Sequence, residues 1–178
     1  MPNYCSNYLK IEGTENAVKE LLQLVKSDES IFDFEKIIPM PDYIYRGPLG
    51  PEEEKIYSEN NWYNWSCDNW GTKWNSVGAV VNGNIIAFQT AWSPCEPVIE
   101  MLAKQFPTLC FVYTFNEIGM GFCGKRVYEN GKLMFCFDGK YWENCMCDLD
   151  EETDVDTSID QVLSVNESGF ETMKEFAF

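Results

Sequence analysis

The chain has 178 residues, 45% apolar and 24% charged, the proportions of one globular domain with an appended segment rather than of two domains. Asp plus Glu number 29 against 13 Lys plus Arg, a net charge of −16, which argues against binding nucleic acid directly through a basic face and against an anionic membrane surface. Histidine is absent, so Ser-His-Asp triads, Cys-His nucleophile pairs, imidazole metal ligands and imidazole bases are excluded together.

The first residues, Met1-Pro2-Asn3-Tyr4-Cys5-Ser6-Asn7, carry no basic stretch followed by an apolar one and do not read as a signal peptide, so a cytoplasmic location is expected. No run approaches the ~20 apolar residues that a membrane span needs. Leu9 and Ile11 alternate with Lys10 and Glu12, the pattern of a strand with one buried face, and Gly13 ends it. Thr14 suits an N-cap, Glu15 favours the positive end of the helix dipole, and Ala17, Leu21, Leu22 and Val25 share a stripe, predicting a helix over roughly 15–27. Ile37-Ile38-Pro39-Met40-Pro41 is apolar but interrupted by prolines, so a short strand end or an extended connection is expected. Residues 42–60, with Gly47, Pro48, Gly50, Pro51 and three consecutive glutamates, read as a surface loop.

Trp62, Trp65, Trp70 and Trp74 are four of the chain's six tryptophans. The spacings suit helical faces broken at Gly71, and the simplest role is an aromatic layer over a sheet. Ala79-Val80-Val81 and 84–90 flank Asn82-Gly83, predicting a type I′ hairpin. Ser93-Pro94-Cys95-Glu96 reads as a capping box opening a second helix, with Val98, Met101, Leu102 and Phe106 inward and Pro107 as its stop. The apolar run 109–115 suits a central strand, and 122–128 and 133–137 flank a second Asn-Gly turn at Asn130-Gly131. An antiparallel sheet with two helices on one face buries both stripes, so the expected class is α+β, a ferredoxin-like domain over 1–142.

From residue 143 onward eleven acidic residues face Lys174 alone, so this segment carries −10 and the domain −6. Residues 143–178 are therefore expected to form an acidic C-terminal tail or an appended helix, with Ile159, Val162, Leu163 and Val165 as its apolar side. Eight cysteines in a reducing compartment read as buried hydrophobes and free thiols. Cys145 and Cys147 with Cys136 or Cys123 form the only metal alternative, but Cys-Met-Cys is not the ligand spacing of zinc modules, so no metal and no cofactor are expected.

Trp62-Tyr63-Asn64-Trp65, Asn69-Trp70-Gly71-Thr72-Lys73-Trp74, Thr90-Ala91-Trp92-Ser93-Pro94 and Gly119-Met120-Gly121-Phe122, with the proline-bearing segment at 37–41, give the chain a resemblance to a known family. Over roughly residues 1–138 it resembles the YubB-like ferredoxin-like proteins of plasmids and phages. The resemblance implies the ferredoxin-like fold and a mobile-element setting, and it implies no activity, since the family's function is unknown. The acidic extension after Cys136 departs from the family pattern.

Three chemistries follow from these residues. Lys73 among aromatic residues can act as a base or nucleophile with Asp68 or Glu117, or form a structural ion pair with cation-π contacts beneath the rings; the structural role is preferred, so no enzyme is expected. Gly119-Met120-Gly121 can form an anion-binding concavity, although a bulged strand start is the simpler reading. Asn69, Trp70, Thr72, Lys73, Trp74 and Trp92 can line a pocket that stacks a planar base and pairs with a phosphate, making a small-molecule or nucleotide-binding module. The leading expectation from charge and resemblance is an anti-CRISPR or anti-restriction protein that occupies the basic cleft of a host nuclease or other nucleic-acid-binding protein. Asp148, Asp150, Glu151, Glu152, Asp154 and Asp156 would then imitate a phosphate backbone.

Overall fold

Alternation along the first strand decides where the core lies. In the computed structural model, which describes residues 3–141, β1 (Tyr4–Glu12) turns Cys5, Asn7, Leu9 and Ile11 inward and leaves the residues between them more exposed. α1 (Glu15–Leu24) follows at once, with Thr14 Oγ1 accepting from the Ala17 amide, and buries Leu21 against that face. Val25, at its C-cap, is also buried.

The connection that follows departs in part from a plain loop. Phe34–Lys36 forms one 3-10 turn with Ile37, still helical, as its C-cap, and the proline-bearing segment that follows joins no strand and buries Ile37 and Met40 in the core. Pro51–Tyr57, expected as loop, is the helix α2. Proline at its start lacks only an amide that a first turn leaves unpaired, and Glu52, Glu53 and Glu54 complement the helix dipole. It buries none of its residues, so the surface position holds while the coil does not.

α3 (Trp62–Trp70) is capped by Asn61, whose Oδ1 accepts from the Asn64 amide, and ends at Gly71 with φ +77°. A side chain at Gly71 would also meet Pro97 Cδ at 2.9 Å, so backbone angle and available space both require glycine. β2 (Val77–Asn82) and β3 (Ile85–Ala91) then pair Asn82 with Ile85, which leaves Gly83-Asn84 as the turn. Only Gly83 has positive φ, the pattern of a type II′ turn rather than the expected type I′ at Asn82-Gly83; the ladder extends one residue further and brings glycine to the first turn position. The second hairpin joins β5 (Phe122–Glu129) to β6 (Lys132–Lys140) through Asn130 and Gly131, both left-handed, as type I′ requires.

α4 (Glu96–Gln105) begins only at the last residue of the expected capping box: Ser93 is no cap, and Cys95 stands at the N-cap without a side-chain bond. β4 (Cys110–Glu117) completes the set. The six strands are ordered β2-β3-β1-β4-β5-β6 and every neighbouring pair is antiparallel. With α2 and α3 set aside as an insertion between α1 and β2, the order β-α-β-β-α-β with strands β4-β1-β3-β2 is the ferredoxin-like arrangement, and β5–β6 extends the sheet past β4. α1 and α4 cover one face. Leu21, Val98, Ile99 and Leu102 pack there with Leu9, Ile86, Phe111 and Tyr113.

Arg126 on β5 ties the second helix to the added hairpin. Its Nε and Nη2 donate to the two Glu96 oxygens at 2.6 and 3.0 Å, Nη2 also donates to Asp138 at 2.7 Å, and Nη1 donates to the Lys125 and Phe137 carbonyls. All five donors are engaged around a side chain that is almost fully buried. The acidic segment and the candidate ligands Cys145 and Cys147 lie outside the described residues. The six described cysteines are free, and no helix among the described residues is long and apolar enough to cross a membrane.

Candidate functional site

Gly71 turns the chain sharply at the end of α3, and the returning residues pass back along the helix. Ser66 Oγ, buried on α3, lies 2.7 Å from the Trp62 carbonyl and 2.8 Å from the Lys73 carbonyl, so its single proton tethers one or the other. The Lys73 ammonium therefore lies over the first turn of α3, where its Nζ is 5.5 Å from the Tyr63 ring centre and 6.0 Å from that of Trp62. Trp74 and Trp92 come closer, at 4.7 and 4.9 Å. The negative π faces of these rings attract the cation.

Trp92 is the unusual member. Its φ is +69°, a conformation that bulky residues rarely adopt, and the Ser93 amide donates to the Ala91 carbonyl at 2.9 Å. An i to i+2 bond across a residue of positive φ defines a strained γ-turn. Neighbouring bonds hold it. Thr72 Oγ1 donates to the Ala91 carbonyl, Ser93 Oγ donates to the Gly71 carbonyl, and the Trp92 amide donates to the Asn3 carbonyl. Below the turn, Thr90 Oγ1 donates to the Ser93 carbonyl at 2.6 Å, Asn7 Nδ2 donates to Thr90 Oγ1, and Tyr113 donates to Asn7 Oδ1. Such over-determination is what allows a strained backbone to persist. Trp92 itself is 40% exposed.

Of the residues expected to form a pocket, Lys73, Trp74 and Trp92 are brought together. Trp70 is not with them; it is buried, donates to the Ile38 carbonyl and packs against Phe34 and Trp65. Thr72 is buried and serves the γ-turn, and Asn69 donates to the carbonyl of Trp65 in its own helix. Trp62 and Tyr63 belong to the cluster although the spacing of the tryptophans did not place them there. The available signal was Gly71, whose reversal sends Lys73 back toward the start of α3.

The expected ion partners do not join Lys73. Asp68 is exposed on α3, and the Glu117 carboxylate accepts the amides of Gly119, at 2.9 Å, and Met120. The Gly119-Met120 turn is thus filled by the chain's own carboxylate and offers those two amides to no other anion. Among the described residues no carboxylate lies within ion-pair distance of Lys73 Nζ and no acceptor bonds to it. The thiols are poorly suited to nucleophilic work: burial pushes Cys5 up to about 12 and raises Cys95 further, and burial, then Asp68, raises Cys67.

Comparison with known proteins agrees with the fold. Residues 69–159, just over half of the chain, match the family described as "Ferredoxin-like domain in Api92-like protein". That span begins in the last turn of α3 and contains Lys73, Trp74 and Trp92, whereas Trp62 and Tyr63 precede it. Among solved structures, protein api92 from Yersinia pseudotuberculosis is similar at 16% identity with a TM-score of 0.38; the aligned region covers 46% of this chain and 30% of that one. No curated protein matches. The chain belongs to the family of ferredoxin-like domains found in Api92-like proteins.

Proposed function

We propose that the protein is a binding module, not an enzyme, and that it takes a small planar anion, aromatic acid or nucleotide, at the Lys73 cluster. One observation carries the reading: an ammonium ringed by Trp62, Tyr63, Trp74 and Trp92 has no carboxylate of the described residues beside it, in a chain with 29 acidic residues. Among the described residues no acceptor takes the three ammonium donors, which leaves them for a ligand's negative group, and the half-exposed Trp92 offers a stacking surface. The test is a titration with 4-nitrobenzoate and with adenosine monophosphate, following tryptophan emission. Saturable quenching that disappears in Trp92→Ala and in Lys73→Met supports the reading. Quenching that rises linearly without saturation for both compounds overturns it.

A second reading is favoured by charge. With −10 on residues 143–178, the protein is suited to occupy the basic cleft of a host nuclease, and the YubB-like resemblance to plasmid and phage proteins supports an anti-restriction or anti-CRISPR role in the cytoplasm. Capture of a nucleic-acid-binding protein from host lysate, lost at high salt and lost on neutralising Asp148, Asp150, Glu151 and Glu152, is the expected result. Capture indifferent to both treatments rejects it.

A further inference from the structure

We infer that the Lys73 site selects a planar aromatic ligand bearing a single negative charge, an aromatic carboxylate, and discriminates against polyphosphates. The inference rests on the reading of the Lys73 cluster as a ligand site and narrows it.

The scarcity of cations along this part of the chain sets the limit. Lys73 is the only Lys or Arg between residues 56 and 103, a span that includes α3, β2, β3 and most of α4. One ammonium balances one carboxylate. A triphosphate brings several charges more, and sites that accept it supply several cations, a metal or a cradle of backbone amides. Four of the amides that could contribute to a cradle are already committed. Glu117 takes those of Gly119 and Met120, and the Cys95 amide at the start of α4 donates to Tyr113 Oη at 3.1 Å, with Glu96 and then Pro97 next in the chain. Asn61 takes the Asn64 amide at the start of α3.

The surroundings repel further negative charge. Tyr63, one of the rings around Lys73, also borders an open cleft of about 350 Å3 whose other walls include Glu54 and Glu59. The chain as a whole carries −16. A monocarboxylate meets one local attraction that exceeds this repulsion at short range, whereas every added phosphate adds repulsion without a second partner. The rings supply the remaining selectivity. Trp74 and Trp92 lie less than 5 Å from the ammonium, so a carboxylate on Nζ brings its attached aromatic ring beside an indole face.

The test is isothermal titration calorimetry of the full chain with three probes: 4-nitrobenzoate, its neutral counterpart 4-nitrobenzamide, and ATP without divalent cation. The expected result is that 4-nitrobenzoate binds at least tenfold more tightly than either of the others. Lys73→Met should reduce its affinity to that of the amide. ATP binding as tightly as the carboxylate overturns the inference while leaving the ligand site standing. Equal affinities for carboxylate and amide also overturn it, since the charge is then not read. No heat from any of the three at millimolar concentration rejects both the inference and the site. These comparisons use the unmodified chain and stand even where Lys73→Met does not fold.

Discussion

Trp92 holds a backbone angle that glycine would adopt freely, and this makes its strain measurable. Left-handed backbone costs a residue with a Cβ about 1–2 kcal/mol, so Trp92→Gly should be more stable than Trp92→Ala by about 1 kcal/mol, because both lose the ring and only glycine relieves the angle. Urea denaturation of the two variants decides it, and an alanine variant as stable as the glycine one would show that the turn is unstrained. Sequence made half of this site legible. The Asn69-Trp70-Gly71-Thr72-Lys73-Trp74 string drew attention to Lys73 and Trp74, but Trp70 in the same string is core, because its indole reaches the Ile38 carbonyl from 32 residues away. Nothing in local spacing distinguishes a tryptophan that turns inward from one that turns toward a lysine.

Among the elements, α4 and the β5–β6 hairpin are joined chiefly by Arg126. Replacing it with alanine leaves Glu96 and the Phe137 carbonyl without their donor and opens a gap beside Phe115, whose ring centre is 5.2 Å from the guanidinium carbon. Glu96 and Asp138 are partly exposed and regain water, so the loss comes from the missing hydrogen bonds and packing and is expected to be about 2 kcal/mol. Lys19→Ala, which breaks the exposed Lys19–Glu15 pair of α1, should cost less than about 0.5 kcal/mol. Thermal or urea melts of the two variants make the comparison; similar losses would mean that Arg126 is not a structural tie. The elements themselves were mostly readable, since α1, β4 and the Asn130-Gly131 hairpin follow from period and turn residues. α2 was not, because Gly50 and Pro51 look alike whether they end order or begin a helix. The start of α4 was misplaced because Ser93 caps no helix; its hydroxyl reaches across to Gly71 instead. That partner is 22 residues away, beyond any local pattern.

At the scale of the whole molecule, the buried acids foretell alkaline instability. Burial raises Cys5 from near 9 to about 12 and Tyr128 from near 10 to about 12, and raises Tyr113 as well. Below pH 9 both folded and unfolded chains keep these protons. Between pH 9 and 12 the unfolded chain releases them first, so the folded state binds more protons and stability falls as pH rises. The urea midpoint should therefore drop steadily from about pH 9 to 11, and a flat profile would contradict the burial of these groups. The order of the strands has a consequence for synthesis. β1, made before the other five described strands, lies between β3 and β4, and the bond from Tyr113 to Asn7 closes a separation of 106 residues. The hairpins β2–β3, β4–β5 and β5–β6 can each form from neighbouring chain, but β1 must wait for partners on both sides. Completion of the sheet is thus a late, slow event, and a nascent chain halted before residue 110 keeps one edge of its first strand open to whatever chaperone or stray strand reaches it.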